Sequence, residues 1–102
     1  MNPIIEQHRN DLEKLCRRFH VRRLDIFGSA VSGEFSPERS DLDFLVEFGV
    51  LSPGDRADAY FGLLFALEDL FRRHIDLVEM AASDNPYFLK AVSETRTPLY
   101  AA

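Results

Sequence analysis

The segment Asp41-Leu42-Asp43-Phe44-Leu45-Val46-Glu47-Phe48 alternates strictly, with Leu42, Phe44, Val46 and Phe48 interleaved between Asp41, Asp43, Leu45 and Glu47. Successive side chains of a strand point to opposite faces. One face of this strand is therefore apolar and asks for a core, while the other starts with two carboxylates side by side. Like charges at that distance repel, and Arg39 is the nearest basic residue in sequence. A fold keeps such a pair cheaply only when a cation neutralises it, and a hard divalent ion bound with a phosphate needs only one or two protein carboxylates.

The remaining hydrophobic periodicity builds a small α/β domain around this strand. Ile5, His8, Leu12, Leu15, Cys16 and Phe19 recur at helical spacing, which predicts one helix over residues 3–19. Arg17, Arg18, Arg22 and Arg23 gather at its end, where the helix dipole favours positive charge. Residues 21–27 read as a strand, closed by Gly28-Ser29 and followed by a short helix through Ala30 and Val31, then a polar loop from Gly33 to Arg39. Ser52-Pro53-Gly54-Asp55 has the form of a helix start, with Ser52 as cap and Pro53 in the first turn. That helix should run to about Arg73; its apolar residues cover more than one stripe, so part of it is expected to meet another chain. Residues 74–79 form a third strand, Asn85-Pro86 opens a last helix to about Glu94, and the tail RTPLYAA is free to pair or pack. The 102 residues are expected to form a single domain, 1–102, too short for a second, acceptor-binding half.

Composition excludes several classes. With 46% hydrophobic and 28% charged residues, the chain is an ordinary globular one rather than disordered. A net charge of −5 suits cations and fits long nucleic acid poorly. Cys16 stands alone, so no internal disulfide or cysteine zinc site is expected. No run approaches the ~18 apolar residues of a membrane span, and no signal-peptide pattern opens the chain, so a cytoplasmic location is the expectation.

Asp76, read as mid-strand between Ile75 and Leu77, is a third carboxylate of the same kind. If that strand neighbours residues 41–48, Asp76 joins Asp41 and Asp43 on one face. Gly28-Ser29 ends a strand and opens a helix, a place where backbone comes close to a phosphate and N–H groups favour an anion. The parts describe a nucleoside triphosphate held by Gly-Ser, with metals on the aspartates; two metals clamp the attacking and leaving oxygens of an in-line displacement at phosphorus. Asp76 is the natural acceptor of the proton from the attacking hydroxyl. His8, His20 and His74 are not spaced as a metal site and read as structural or surface residues. Tyr60, Tyr87 and Tyr100 read as packing residues, Glu47 as a surface acid, and Asp25 as facing either the site or solvent.

Gly28-Ser29, Ser40-Asp41-Leu42-Asp43-Phe44-Leu45-Val46 and Ile75-Asp76-Leu77-Val78 resemble the nucleotidyltransferase core of the DNA polymerase β superfamily. The stretch LDIFGSAVSGEFSPERSDLDFLVEF and the small size resemble its minimal nucleotidyltransferases in particular, over nearly the whole chain. The resemblance implies a polymerase β-like α/β core, a short mixed sheet flanked by helices. It implies an antitoxin beside a HEPN-domain toxin, an RNase, acting by transfer of AMP from ATP to a tyrosine hydroxyl of that toxin, with Mg²⁺ or Mn²⁺ as cofactor. Residue by residue, Gly28 and Ser29 match the triphosphate-binding turn, with Ser40 beside it. Asp41 and Asp43 match the metal ligands, and Asp76 the third acid. Basic residues often follow the family's Gly-Ser; here Ala30 and Ser32 stand there, and Arg39 is the substitute. Two other functions remain open at this point: a module that silences its partner by binding alone, and a transferase acting on a small molecule or an RNA end.

Overall fold

The computed structural model describes residues 3–28, 41–80 and 96–102. The expected short helix at Ala30, the loop Gly33 to Arg39 and the last helix from Asn85 lie outside the described residues. The elements are helices α1 (Pro3–Gln7) and α2 (Arg9–Arg18), strand β1 (Val21–Phe27), strand β2 (Leu42–Phe48), helix α3 (Pro53–Phe71), strand β3 (Ile75–Glu79) and strand β4 (Thr97–Ala101). They build a four-stranded sheet in the order β3-β2-β1-β4. β1 is antiparallel to both β2 and β4, whereas β2 and β3 run parallel, with α3 as the crossover that a parallel pair requires. The element order predicts a small α/β domain around a short sheet, and the mixed sheet with flanking helices is the architecture that the resemblance implies.

The single helix expected over residues 3–19 is two. At His8 the backbone leaves helical geometry (φ −113, ψ 16); its N–H bonds to the Ile5 carbonyl, and the Leu12 N–H starts α2 on the His8 carbonyl. The break has a packing cause. The His8 ring meets Phe71 of α3 edge-on, with centroids 5.2 Å apart, and Ile5 before the break and Leu12 after it are both buried. Cys16 is fully buried in the same layer, which pushes its thiol up to about 12 and leaves it an inert packing group.

α3 starts as its sequence dictates. The Ser52 hydroxyl accepts a hydrogen bond from the Asp55 N–H at 3.3 Å, and Pro53 occupies the first turn. Its buried stripe is Ala59, Leu63, Leu67 and Phe71, one residue per turn, seated on Leu42, Phe44, Val46, Ile75 and Leu77 of the sheet. Gly62 allows close approach to α2: a Cβ there would stand 2.5 Å from a Phe19 ring carbon. The apolar excess of this helix resolves into Phe61 and Phe65, which stack at 6.3 Å and are 53% and 62% exposed.

The tail does pair: β4 lies against β1, and Asp25 of β1 is where the two are tied. Asp25 does not face solvent: its register opposite Leu45 puts it on the face that carries Asp43, one step of the pleat further along the sheet. It is fully buried and accepts hydrogen bonds from the guanidinium of Arg23, at 3.2 Å, and from Arg96 at the entry to β4. A buried carboxylate is tolerable only when paired in this way. Replacing Arg96 with Leu leaves it short of a partner and should cost about 3 kcal/mol in urea unfolding. Adding Asp25→Asn to that variant should cost less than the sum of the two single changes, because the charge being stranded is gone.

Candidate active site

The topology collects the chemistry-bearing residues at one end of the sheet. β1 arrives there with its C-terminus, while β2 and β3 leave with their N-termini; Phe27 is opposite Asp43, and Asp43 is beside Asp76 in the parallel register. Residues at matched positions share a face, so Asp43 and Asp76 point to the same side, away from the side that buries Phe44 and Ile75. Asp41 precedes β2 on that same face and is exposed. Asp76 is the second residue of β3 and its side chain is about half exposed, so it lies at the strand's start rather than in its middle.

Gly28 closes β1 at this end with φ +76, a conformation that a side chain makes costly. A Cβ on Gly28 would stand 2.5 Å from Oδ2 of Asp43. Glycine is thus required twice, by the turn and by the carboxylate packed against it. The expected Gly28→Ala penalty is about 1–3 kcal/mol in thermal unfolding. Adding Asp43→Ala should recover part of it by removing the clash.

The carboxylates are electrostatically frustrated. Asp43 is half-buried, and its carboxyl is pushed up to about 6, first by burial, then by a hydrogen bond and repulsion from Asp76, then by repulsion from Asp41; His74 pulls the other way. Asp43 thus retains its proton to higher pH than an ordinary aspartate does. A carboxyl raised in the folded state contributes stability at low pH, and that contribution is lost as pH rises from about 4 through about 6. After allowance for solvent screening, the cation-free protein should lose about 1–2 kcal/mol over this range from Asp43 alone. Chemical denaturation at pH 4 and pH 7 measures it, and Asp43→Asn should flatten the difference.

His74 also stands in the site. Its Nε2 is 3.1 Å from Oδ1 of Asp76, and Asp41, His74 and Asp76 can each offer a ligating atom within 4.8 Å of the others. Spacing along the chain sets the three histidines apart, yet the signal was present: His74 precedes Asp76 by two residues, as Asp41 precedes Asp43, so strand periodicity puts it on the acidic face. Beside the carboxylates a cavity of about 300 Å³ is lined by Phe27, Asp43, Tyr60, Leu64 and Asp76, among others. The Tyr60 hydroxyl donates to the Leu77 carbonyl on the edge strand, and burial followed by Glu79 and Asp76 raises its phenol. Ser29, Arg39 and Ser40 lie outside the described residues. The oxygen-rich donor set, whose carboxylates repel one another, fits a hard divalent cation.

Residues 8–99 match the family model of the nucleotidyltransferase domain, and the chain belongs to that family. A proposed minimal nucleotidyltransferase of solved structure is 29% identical, with a TM-score of 0.67 over 92% of this chain and 91% of that one. The fold is shared at lower identity by a chain of a toxin–antitoxin crystallised with AMP-PNP (22% identity, TM-score 0.69, covering 92% of this chain and 73% of that one). It is shared also by a chain of the Shewanella oneidensis complex of a tri-AMPylated HEPN toxin with an MNT antitoxin (21% identity, TM-score 0.60, covering 95% and 72%). No curated protein matches the chain. Among the described residues no helix is long and apolar enough to cross a membrane.

Proposed function

We propose that this chain is a cytoplasmic antitoxin that transfers AMP from ATP to a tyrosine hydroxyl of a HEPN-type RNase partner and so neutralises it. The observation that carries this is the convergence of Asp41, Asp43 and Asp76 with Gly28 at one end of the sheet, in a chain of the nucleotidyltransferase family. Fold relatives that hold AMP-PNP, or that stand beside an AMPylated HEPN toxin, support the choice of nucleotide and partner.

Asp41 and Asp43 hold Mg²⁺ or Mn²⁺, which when bound offsets the negative charge of the phosphates and of the carboxylates themselves. Gly28 and Ser29 receive the triphosphate on backbone N–H groups, and Arg39 and Ser40 are the further nucleotide-binding residues of this reading. Asp76 accepts the phenolic proton as the tyrosine oxygen bonds to the α-phosphorus and the bond to pyrophosphate breaks. Asp76 serves this role because Asp41 and Asp43 are engaged by the cation, while its own side chain stays about half exposed.

Incubation of the chain with a HEPN-type partner, ATP and Mg²⁺ should add AMP to a partner tyrosine, read by mass spectrometry, with loss of the partner's RNase activity. Asp76→Ala should lower the transfer about 10²–10⁴-fold. Mg²⁺ with ATP should raise the thermal midpoint, since a ligand of the folded state alone stabilises it. The paired change Asp41→Asn with Asp43→Asn should remove that shift and leave the chain folded. An inhibited but unmodified partner would show that binding alone silences it.

A further inference from the structure

The site holds one more donor than three acids. The register that sets Asp43 beside Asp76 continues one step toward the strand starts: Leu42 pairs with Ile75, and the Leu42 N–H reaches the His74 carbonyl at 3.4 Å. His74 therefore stands beside Asp41, and the four residues Asp41, Asp43, His74 and Asp76 form a two-by-two array on one face of the sheet. The His74 side chain is 61% exposed, so packing into the core does not account for its placement. The 3.1 Å between its Nε2 and Oδ1 of Asp76 is close to the ~3 Å between neighbouring ligands of an octahedral ion with bonds of about 2.1 Å.

We propose that His74 is a ligand of the cation at this site, and that it turns the site's preference from Mg²⁺ toward Mn²⁺. The inference rests on the proposal that the cation is held here. Mg²⁺ favours oxygen donors and gives up its water reluctantly, whereas an imidazole nitrogen is a good donor to first-row transition ions. Mn²⁺ is the one among them that also suits the carboxylates making up the rest of the set. The imidazole adds a lone pair without adding a fourth negative charge to a cluster that already repels itself. Ligation takes the tautomer with the proton on Nδ1, which frees Nε2 toward the cation.

Binding of Mn²⁺ to the full chain, without and with ATP, tests this by electron paramagnetic resonance. The wild type should show nitrogen coupling to bound Mn²⁺, the coupling should change its pattern when histidine is labelled with heavy nitrogen, and His74→Ala should abolish it. His74→Ala should also weaken Mn²⁺ about tenfold while changing Mg²⁺ little, so the Mn²⁺-to-Mg²⁺ affinity ratio falls. Bound Mn²⁺ without nitrogen coupling, or a His74→Ala variant that weakens both ions equally or neither, overturns the inference and leaves the carboxylate site standing. A wild type that binds no Mn²⁺, or binds it unchanged after Asp41→Asn, overturns the cation site as well.

Discussion

The repulsion between Asp43 and Asp76 is the constraint around which the rest of the structure is arranged. Their adjacency is imposed by the parallel register of β2 and β3, and that register is in turn secured by the apolar partners Phe44 and Leu77 on the other face. A one-residue slip would relieve the acids but turn every core side chain of the strand outward. The core therefore outweighs the local electrostatics, and Asp43 responds by keeping its proton to higher pH than an ordinary aspartate.

The scaffold that holds this register is economical. α3 supplies the parallel crossover and one buried stripe, and Gly62 lets it close on Phe19. β1 delivers Gly28 to the same end of the sheet, where absence of a side chain gives Asp43 its room. On the far side of β1, the buried Asp25 ties β4 to the sheet through Arg96. The acids of this chain thus divide by environment. Asp25 is paired by two guanidinium groups and anchors the fold; among the described residues Asp41, Asp43 and Asp76 have no guanidinium partner, and Asp76 meets His74 instead.

The chain belongs to the nucleotidyltransferase family, and the proposed role of the carboxylate cluster follows from phosphoryl chemistry, which places charge on oxygens that cations and hydrogen-bond donors offset. What differs within that frame is the donor set. A histidine at the position beside Asp41 makes the cluster a mixed nitrogen and oxygen donor set, and the inferred consequence is a change in which cation it would prefer.

Much of this was legible along the chain. Period-two alternation defined β2 and its two-faced character, the Ser52-Pro53 start defined α3, and the acids at Asp41, Asp43 and Asp76 stood out because strands seldom carry acids in such positions. These are local rules: backbone geometry alone sets which residues share a face. What the sequence left open depends on contacts between distant segments. The break at His8 comes from the Phe71 ring, the role of Asp25 from an arginine 71 residues away, and the pairing of the tail from the free edge of β1. His74 had the right spacing to Asp76, but only the register of β3 against β2 set it beside Asp41. Side-chain direction is thus a property of each strand by itself, whereas the meeting of donors from two strands is decided by how the tertiary structure aligns them.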